Sequence, residues 1–331
     1  MSEKTCKDIT LGAAARFLKR NDDYIILTHA SPDGDTLGSA YALYYGLKEI
    51  GKSAEILCPD LIPAKYSYFA VKTDHIKSEK ATVIAVDVAD EKLLGALKDS
   101  FAGKVKLCID HHISNTRYAE KLLLDSKASA ACEIMYELLV KLKVNINDVT
   151  AKALYTGIAT DTGCFKFSNV TAKTHLITAE LFDYNIDAAD INRLMFDTKS
   201  KKLLQLERMV LDTAEYHFDD KCILLTVTEE MQEKTGCSGP DLEGIAIISR
   251  SVEGVLAGVT IKQTGKEEFK ISLRTFEPLD ASEICRSLGG GGHKGAAGVT
   301  ISGTLDMVKE KILSAVKTNM EKTNVWASAD K

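Results

Sequence analysis

At 331 residues the chain is long for a single core, and two domains are expected. Its composition, 45% hydrophobic and 27% charged, is that of a globular protein able to fill both cores. A net charge of −5 with no strong basic run argues against tight, sequence-independent binding to long nucleic acid, which draws on many Lys/Arg–phosphate contacts; it leaves room for a short or small anionic substrate.

Taken in order, Thr10 to Lys19 reads as an amphipathic helix and Asp23 to Thr28 as a strand that ends at His29. The loop Ala30-Ser31-Pro32-Asp33-Gly34-Asp35 follows, then a helix over Thr36–Ile50 with Leu37, Ala40, Leu43, Tyr44 and Leu47 at helical spacing and Gly51 closing it. Ala54 to Cys58 is a second strand, so the chain opens as β-loop-α-β, the start of a parallel sheet. Ala81 to Val86 is a third strand ending in Asp87, and a short helix around Leu93–Leu97 leads to the strand Val105–Ile109 and Asp110-His111-His112. Helices are expected over Ala128–Leu142, from a cap at Asn147 to Thr160, over Ala172–Asp183 and over Asp187–Phe196.

Lys199 to Thr213 reads as a connecting helix, and the domain boundary falls there: 1–196, a linking helix 197–214, a second domain 215–320, and a loose tail 321–331 with the single Trp326. The second half offers strands at Tyr216–Phe218 and Cys222–Thr228, a helix over Leu242–Ile248, and antiparallel strands Val255–Lys262 and Phe269–Leu273 joined through Gly265. A helix over Ala281–Leu288 runs into Gly289-Gly290-Gly291-Gly292-His293, and Thr304 to Thr318 is a last helix. None of the eight cysteines forms a C-x-x-C pair, which disfavours a zinc knuckle or thioredoxin-type site. The polar start lacks a signal-peptide core, and no stretch approaches the ~20 apolar residues of a membrane span, so a reducing cytoplasm is expected and a membrane is not.

Four segments that end elements carry acids or imidazoles. In open α/β sheets the carboxyl edge is where ligands bind. His29-x3-Asp33-Gly34-Asp35 places two carboxylates either side of a glycine that allows a sharp turn, so each can face a different ion; taken alone, it is also an ordinary Pro-Asp-Gly turn with surface acids. Asp90 suits the cap of the next helix, which leaves Asp87 without an obvious structural task. In Asp110-His111-His112 the adjacent rings point in different directions, so one can ligate while the other meets substrate, and Asp110 can hold an imidazole in one tautomer; solvated polar side chains, or one buried ring with its hydrogen bonds satisfied, are the plainer readings. Asp161 stands at a helix C-terminus, the unfavourable end for an acid unless a cation is near. Together they suit a two-metal hydrolase of phosphate esters. In the second half the glycine run frees backbone N–H groups to bind an anion, beside His293 and Lys294, with Arg274 at a strand end as a bidentate clamp; a flexible linker and a solvated arginine are the alternatives.

These motifs, in this order, resemble the DHH phosphoesterases in the branch with a DHH-associated C-terminal domain, most like the nanoRNase (oligoribonuclease and pAp phosphatase) group of RecJ-type proteins. The match runs through His29-Ala-Ser-Pro-Asp33-Gly-Asp35, Val86-Asp87-Val-Ala-Asp90, Asp110-His111-His112, Thr160-Asp161-Thr162-Gly163, and Gly289–His293 followed by Ala296-Ala297-Gly298. The resemblance implies an α/β fold: a mostly parallel N-terminal sheet flanked by helices, a smaller C-terminal α/β domain, and an active site in the cleft between them. It implies two Mn²⁺, with Mg²⁺ or Co²⁺ as substitutes: one held by His29, Asp33 and Asp87, the other by Asp35, Asp87, His111 and Asp161. His112 then faces the scissile phosphate, Asp110 orients, and Arg274, Gly291, Gly292 and His293 grip the far end of the nucleotide. The implied substrates are oligoribonucleotides of about two to five units, pAp, or a linear or cyclic dinucleotide. A homodimer is an open expectation. Manganese inorganic pyrophosphatases share the first motifs but lack the glycine–His signature; a non-catalytic nucleotide or tRNA-end binding module would leave the full metal set unexplained.

Overall fold

The computed structural model describes residues 6–325, apart from 79 and 243 and the side chains of 240 and 241. Trp326 and the tail beyond it lie outside the described residues. The chain divides into two compact units, Met1–Thr198 and Lys199–Lys331.

The first unit is a six-stranded sheet in which every neighbouring pair is parallel. Its elements in order are β1 (Lys7–Asp8), α1 (Leu11–Arg20), β2 (Tyr24–Leu27), α2 (Gly34–Glu49), β3 (Ala54–Leu57), β4 (Thr82–Val86), α3 (Lys98–Phe101), β5 (Leu107–Asp110), β6 (Lys121–Leu124), α4 (Ala131–Leu142), α5 (Asp148–Asp161), α6 (Ala172–Leu181) and α7 (Ala188–Asn192). The strand order is β1-β6-β5-β4-β2-β3. The strands are near-continuous apolar runs because both faces are buried. Ile26, Ile84, Val86, Leu107 and Ile109 join the helical side with Leu37, Leu43, Leu139 and Ile158. The alternate residues Leu27, Val83, Ala85, Cys108 and Leu122 pack with Leu94, Leu97 and Phe101 on the other side. Each such fully buried Leu or Ile contributes about 1.5–3 kcal/mol. After β3 the chain crosses to the far side of β2, so β2 and β4 are neighbours at the point where the winding reverses. Crevices at such a reversal, beyond the strand ends, are the binding places of this architecture.

The second unit begins with α8 (Lys201–Leu211) and continues through β7 (Glu215–His217), β8 (Cys222–Val227), α9 (Glu229–Thr235), α10 (Ile245–Ile248), β9 (Ala257–Gly265), β10 (Glu268–Thr275), α11 (Ala281–Ser287), β11 (Gly291–His293), β12 (Ala296–Ser302) and α12 (Leu305–Lys322). Its sheet order is β11-β12-β10-β9-β8-β7, antiparallel except between β8 and β9. One face, with Val259, Ile261, Ile271, Leu273 and Val299, packs with Ile284, Val308, Ile312 and Val316 of α11 and α12. On the other face Ile223, Leu225 and Val227 of β8 pack with Leu206, Val210 and Ile245. The helix expected as a connector, α8, thus buries its apolar side within this unit.

Three differences from the sequence expectations have local causes. Strands β1 and β6 were not foreseen: the first is two polar residues that only pairing defines, and the second is an apolar run too short for its period to separate strand from helix. The helix expected near Leu93 is a 3₁₀ turn over Glu91–Leu97, broken by Gly95 at φ 52°, and the one expected over Leu242–Ile248 has α10 in its second half, with a 3₁₀ turn over Gly239–Leu242 before it. The glycine run is an edge strand over Gly291–His293, where glycine-rich composition gives no strand signal. Two of its glycines answer to packing: a Cβ on Gly290 would lie 2.3 Å from Gly298 O, and one on Gly292 2.5 Å from Ala297 Cα.

Candidate metal centre

The loops after β2, β4 and β5 and the end of α5 deliver the six expected ligands to one place. His29 follows β2, and its Nε2 lies 3.6 Å from Asp33 Oδ1 and 3.7 Å from Asp87 Oδ2. His111 follows β5, and its Nε2 lies 3.5 Å from Asp87 Oδ1, 3.5 Å from Asp161 Oδ2 and 3.8 Å from Asp35 Oδ2. These separations exceed hydrogen-bond length, and ligand atoms that share a cation sit roughly this far apart. The two oxygens of Asp87 therefore face two different imidazoles. Two groups with ligand atoms close enough to share an ion are His29, Asp33, Asp87 and Asp35, His111, Asp161; a third is Asp87, His111, His112.

Backbone chemistry sets these positions. Asp87 sits just past β4 at φ 55°, a conformation unfavourable to a side-chain-bearing residue, while its N–H donates to Ile109 O at 2.9 Å. Asp33 is the N-cap of α2: its Oδ1 accepts from the N–H groups of Asp35 and Thr36, both at 3.0 Å, so the capping turn also aims the carboxylate. Asp35, fully buried, accepts from Ala131 N–H at 2.6 Å and Cys132 N–H at 2.9 Å at the start of α4, where helix N–H groups favour an anion. Close packing of α2 on α5 needs Gly157: a Cβ there would lie 2.2 Å from Cys132 Sγ and 2.9 Å from Asp35 Oδ1.

The histidine tautomers follow from their partners. His29 Nδ1–H donates to Ala30 O at 2.8 Å and His111 Nδ1–H to Ala128 O at 3.2 Å, so each ring turns its Nε2 toward the carboxylates. His112 differs: its Nδ1–H donates to Asp110 Oδ1 at 2.8 Å, and its ring is 40% exposed. Nδ1 is the atom nearest Asp87, at 3.4 Å, and it is already committed, so His112 presents Nε2 away from the cluster. Asp110 is fully buried and also accepts from the N–H groups of His111 and His112 and, at 2.6 Å, from Asn115 Nδ2.

The electrostatics call for a cation. Burial, then the charge of Asp35, holds the Asp87 carboxyl well above the carboxylate range. Burial raises Asp35 as well, against the opposing charge of His111. Asp161 is pushed up to about 8 by burial and by Asp35 and Asp33. Burial alone would lower His29, but the carboxylates of Asp33 and Asp87 facing its Nε2 outweigh it and raise the imidazole to about 11. For Asp110 the order reverses: burial would raise it, and hydrogen bonds from His112 and Asn115 hold it down as a carboxylate. Asp87 Oδ1 is buried with no hydrogen-bond partner. An orphan oxygen among three mutually repelling acids and two imidazole Nε2 atoms fits divalent cations that accept O and N ligands and displace the proton from a ring nitrogen.

Asn115 and the α4 amides escaped sequence reasoning, as did Asn169, which donates to Ser129 O at 3.0 Å and Asp161 O at 3.1 Å. An Asn three residues past His112 in a polar turn was the one available signal. In the second unit, register sets Arg274 opposite Ala296 and Ala296 opposite His293, so Arg274 and His293 stand on one face, two strands apart. Arg274 is half-buried, and its guanidinium is lowered by burial and by Arg250 nearby.

The sequence pattern of the DHH family, N-terminal domain, matches residues 23–158, and that of the DHHA1 domain matches residues 219–322. The chain is 33% identical over 304 residues, 89% of each protein, to the bifunctional oligoribonuclease and PAP phosphatase NrnA of Thermus thermophilus. A crystal structure of an exopolyphosphatase-related protein from Bacteroides fragilis superposes with a TM-score of 0.82 at 25% identity, covering 94% of this chain and 95% of that one. RecJ of Thermus thermophilus in complex with Mn²⁺ shares the fold at a TM-score of 0.55 and 18% identity, over 93% of this chain and 55% of RecJ.

Proposed function

The chain belongs to the DHH family with a DHHA1 domain, and is a phosphoric ester hydrolase; from that premise we propose that it uses two Mn²⁺ to cleave short oligoribonucleotides to mononucleotides and to remove the 3′-phosphate of pAp. The observation that carries the reading is the cluster itself. Asp87 turns Oδ2 toward His29 and Oδ1 toward His111, the geometry of a carboxylate shared between two ions. His29, Asp33 and Asp87 would hold one, and Asp35, Asp87, His111 and Asp161 the other. Bound there, two divalent cations supply positive charge to the phosphoryl group and make water a nucleophile near neutral pH.

The protein's own residues do the rest. The Ala30 and Ala128 carbonyls keep the two ligand imidazoles in the tautomer that binds metal. Asp110, steadied by Asn115, fixes His112 with Nε2 outward, where it meets a phosphate oxygen or the leaving group. In the DHHA1 domain Arg274 and His293, with the backbone of Gly291 and Gly292, grip the nucleotide away from the scissile bond. Small residues between them, Ala296 and Gly298, leave that face open to a flat ligand.

The test compares RNAs of two to five nucleotides, pAp, a cyclic dinucleotide and long single-stranded DNA as substrates of the purified protein, titrated with Mn²⁺. Mononucleotide from the short RNAs and phosphate from pAp are expected. Release from none of them would overturn the reading; cleavage of the cyclic dinucleotide alone would move it to that substrate.

A further inference from the structure

Helix α4 begins without a side-chain cap of its own, because Ala130 stands at the N-cap and offers no side-chain oxygen. Its free amides go instead to Asp35, from Ala131 N–H at 2.6 Å and Cys132 N–H at 2.9 Å. Just before the cap, Ala128 O accepts from the His111 ring at 3.2 Å. Residues 128–132 therefore hold two of the expected ligands, one from α2 and one from just past β5. The third member of that group, Asp161, closes α5, and the last carbonyl of a helix has no partner within it. Asn169 gives one amide N–H to Asp161 O at 3.1 Å and the other to Ser129 O at 3.0 Å. One side chain thus ties the third ligand to the loop that holds the other two.

Ser129 is itself pinned from two sides. Its hydroxyl donates to Glu133 Oε1 one turn on in α4 and accepts from the Thr174 hydroxyl of α6 at 3.3 Å. Ser129, Glu133 and Thr174 are all fully buried, and Glu133 Oε2 has no hydrogen-bond partner among the described residues. A buried carboxylate with a bare oxygen is costly. Entering a helix does not require one: α5 and α6 start on the side chains of Asn147 and Thr171. The other group is supported differently. His29 is turned by Ala30 O, and Asp33 by the N–H groups of Asp35 and Thr36. Those hydrogen bonds stay within residues 29–36.

We propose that Asn169 and Ser129, backed by Glu133 and Thr174, are positioning residues for one ion and not for the other: they set Asp35, His111 and Asp161, while the side built from His29 and Asp33 forms without them. The assignment rests on the reading of the cluster as a two-metal centre. It makes the two ions unequal, and the ion among Asp35, His111 and Asp161 is the one lost when the loop before α4 is loosened.

The experiment titrates the metal-free full chain with Mn²⁺ by calorimetry and reads the bound ions by electron paramagnetic resonance, in which neighbouring manganese ions couple and a single ion does not. The parent is expected to bind two ions with a coupled signal. Asn169→Ala, at an exposed position, should raise the Kd of one ion about 10–100-fold and leave the other within about twofold. At Mn²⁺ levels that fill both sites of the parent, it then shows an uncoupled spectrum. Asp33→Ala should weaken the ion that Asn169→Ala spares, so that the double variant holds neither tightly. Weakening of both ions or of neither in Asn169→Ala, or one ion kept at parent affinity in the double variant, would overturn the assignment.

Hydrogen exchange on the metal-free chain separates this from the two-metal reading. Asn169→Ala should speed exchange of the Ala131 and Cys132 amides about tenfold and leave that of Thr36, held by Asp33, unchanged. If the parent binds fewer than two ions, the two-metal reading falls, and the faster local exchange still sustains the role of Asn169 and Ser129 in placing Asp35. Unchanged exchange at Ala131 and Cys132 would refute that role.

Discussion

At the edge of the first sheet, Asp35, Asp87 and Asp161 crowd around the His111 imidazole; on the open face of the second, Lys262, Lys270 and Arg274 gather at a cavity with no acid among its described lining residues. Both are like-charge clusters that local folding alone would avoid. The acids are held in place by backbone: the α4 amides on Asp35, the left-handed turn at Asp87 and the capping turn at Asp33. The cations are held by strand register. The contrast lies in burial. Asp35 is fully buried and Asp87 nearly so, where charge interactions are strong, whereas Lys270 is exposed and its interactions are screened. Substitutions at the acidic edge should therefore act on catalysis and folding together, and those on the basic face on binding alone.

The largest effect is expected from Asp87→Ala and Asp161→Ala. Each should lower mononucleotide release by at least about 10²–10³-fold while circular dichroism shows a folded chain; retained turnover would remove either residue from the centre. His111 and His112 separate next. His112→Ala should lower kcat roughly 10²-fold with Mn²⁺ affinity unchanged in a calorimetric titration, while His111→Ala weakens both, because only its Nε2 faces the carboxylates. Metal removal reads the electrostatic cost directly. Chelated protein given Mn²⁺ at a hundredfold excess over its Kd should gain about 2.7 kcal/mol of stability per bound ion in denaturant titration, and Asp87→Ala should lose most of that gain. Gly157→Ala, whose added methyl would overlap Cys132 and press on Asp35, should cost about 1–3 kcal/mol and weaken metal binding; a neutral result would mean that α2 and α5 can separate. The smallest effect belongs to the basic face. Lys270→Ala should leave Tm within about 2 °C of the parent, since the side chain is exposed and has no carboxylate partner among the described residues.

Much of this was legible because chemistry-bearing residues closed elements whose types were plain. The apolar runs of β2, β4 and β5 announced a sheet buried on both faces, and each run ended in His29, Asp87 or Asp110. Asp90 and Asn147 cap the turn or helix expected of them, accepting from Lys92 N–H at 2.8 Å and Thr150 N–H at 3.0 Å. Less legible were residues that act through backbone or from afar. Asn115 supports Asp110 across a turn, Asn169 fastens the end of α5, and the α4 amides hold Asp35 from nearly a hundred positions away. None carries a periodic or compositional signal. The glycine run misled for the same reason: read alone it is a loop, and only pairing with β12 makes part of it a strand.

The sequence by itself determined the two-unit architecture, the parallel first sheet, and which acids and imidazoles stand where strands and helices end, because periodicity and capping are local. Only tertiary structure decided that Asp87 turns one oxygen to each of two imidazoles, that His111 and His112 present opposite nitrogens, and that three cations of the second unit share one cavity. Those outcomes depend on register, on helix approach through Gly157 and on which carbonyl each ring meets, and such contacts between distant segments are set only when the chain packs.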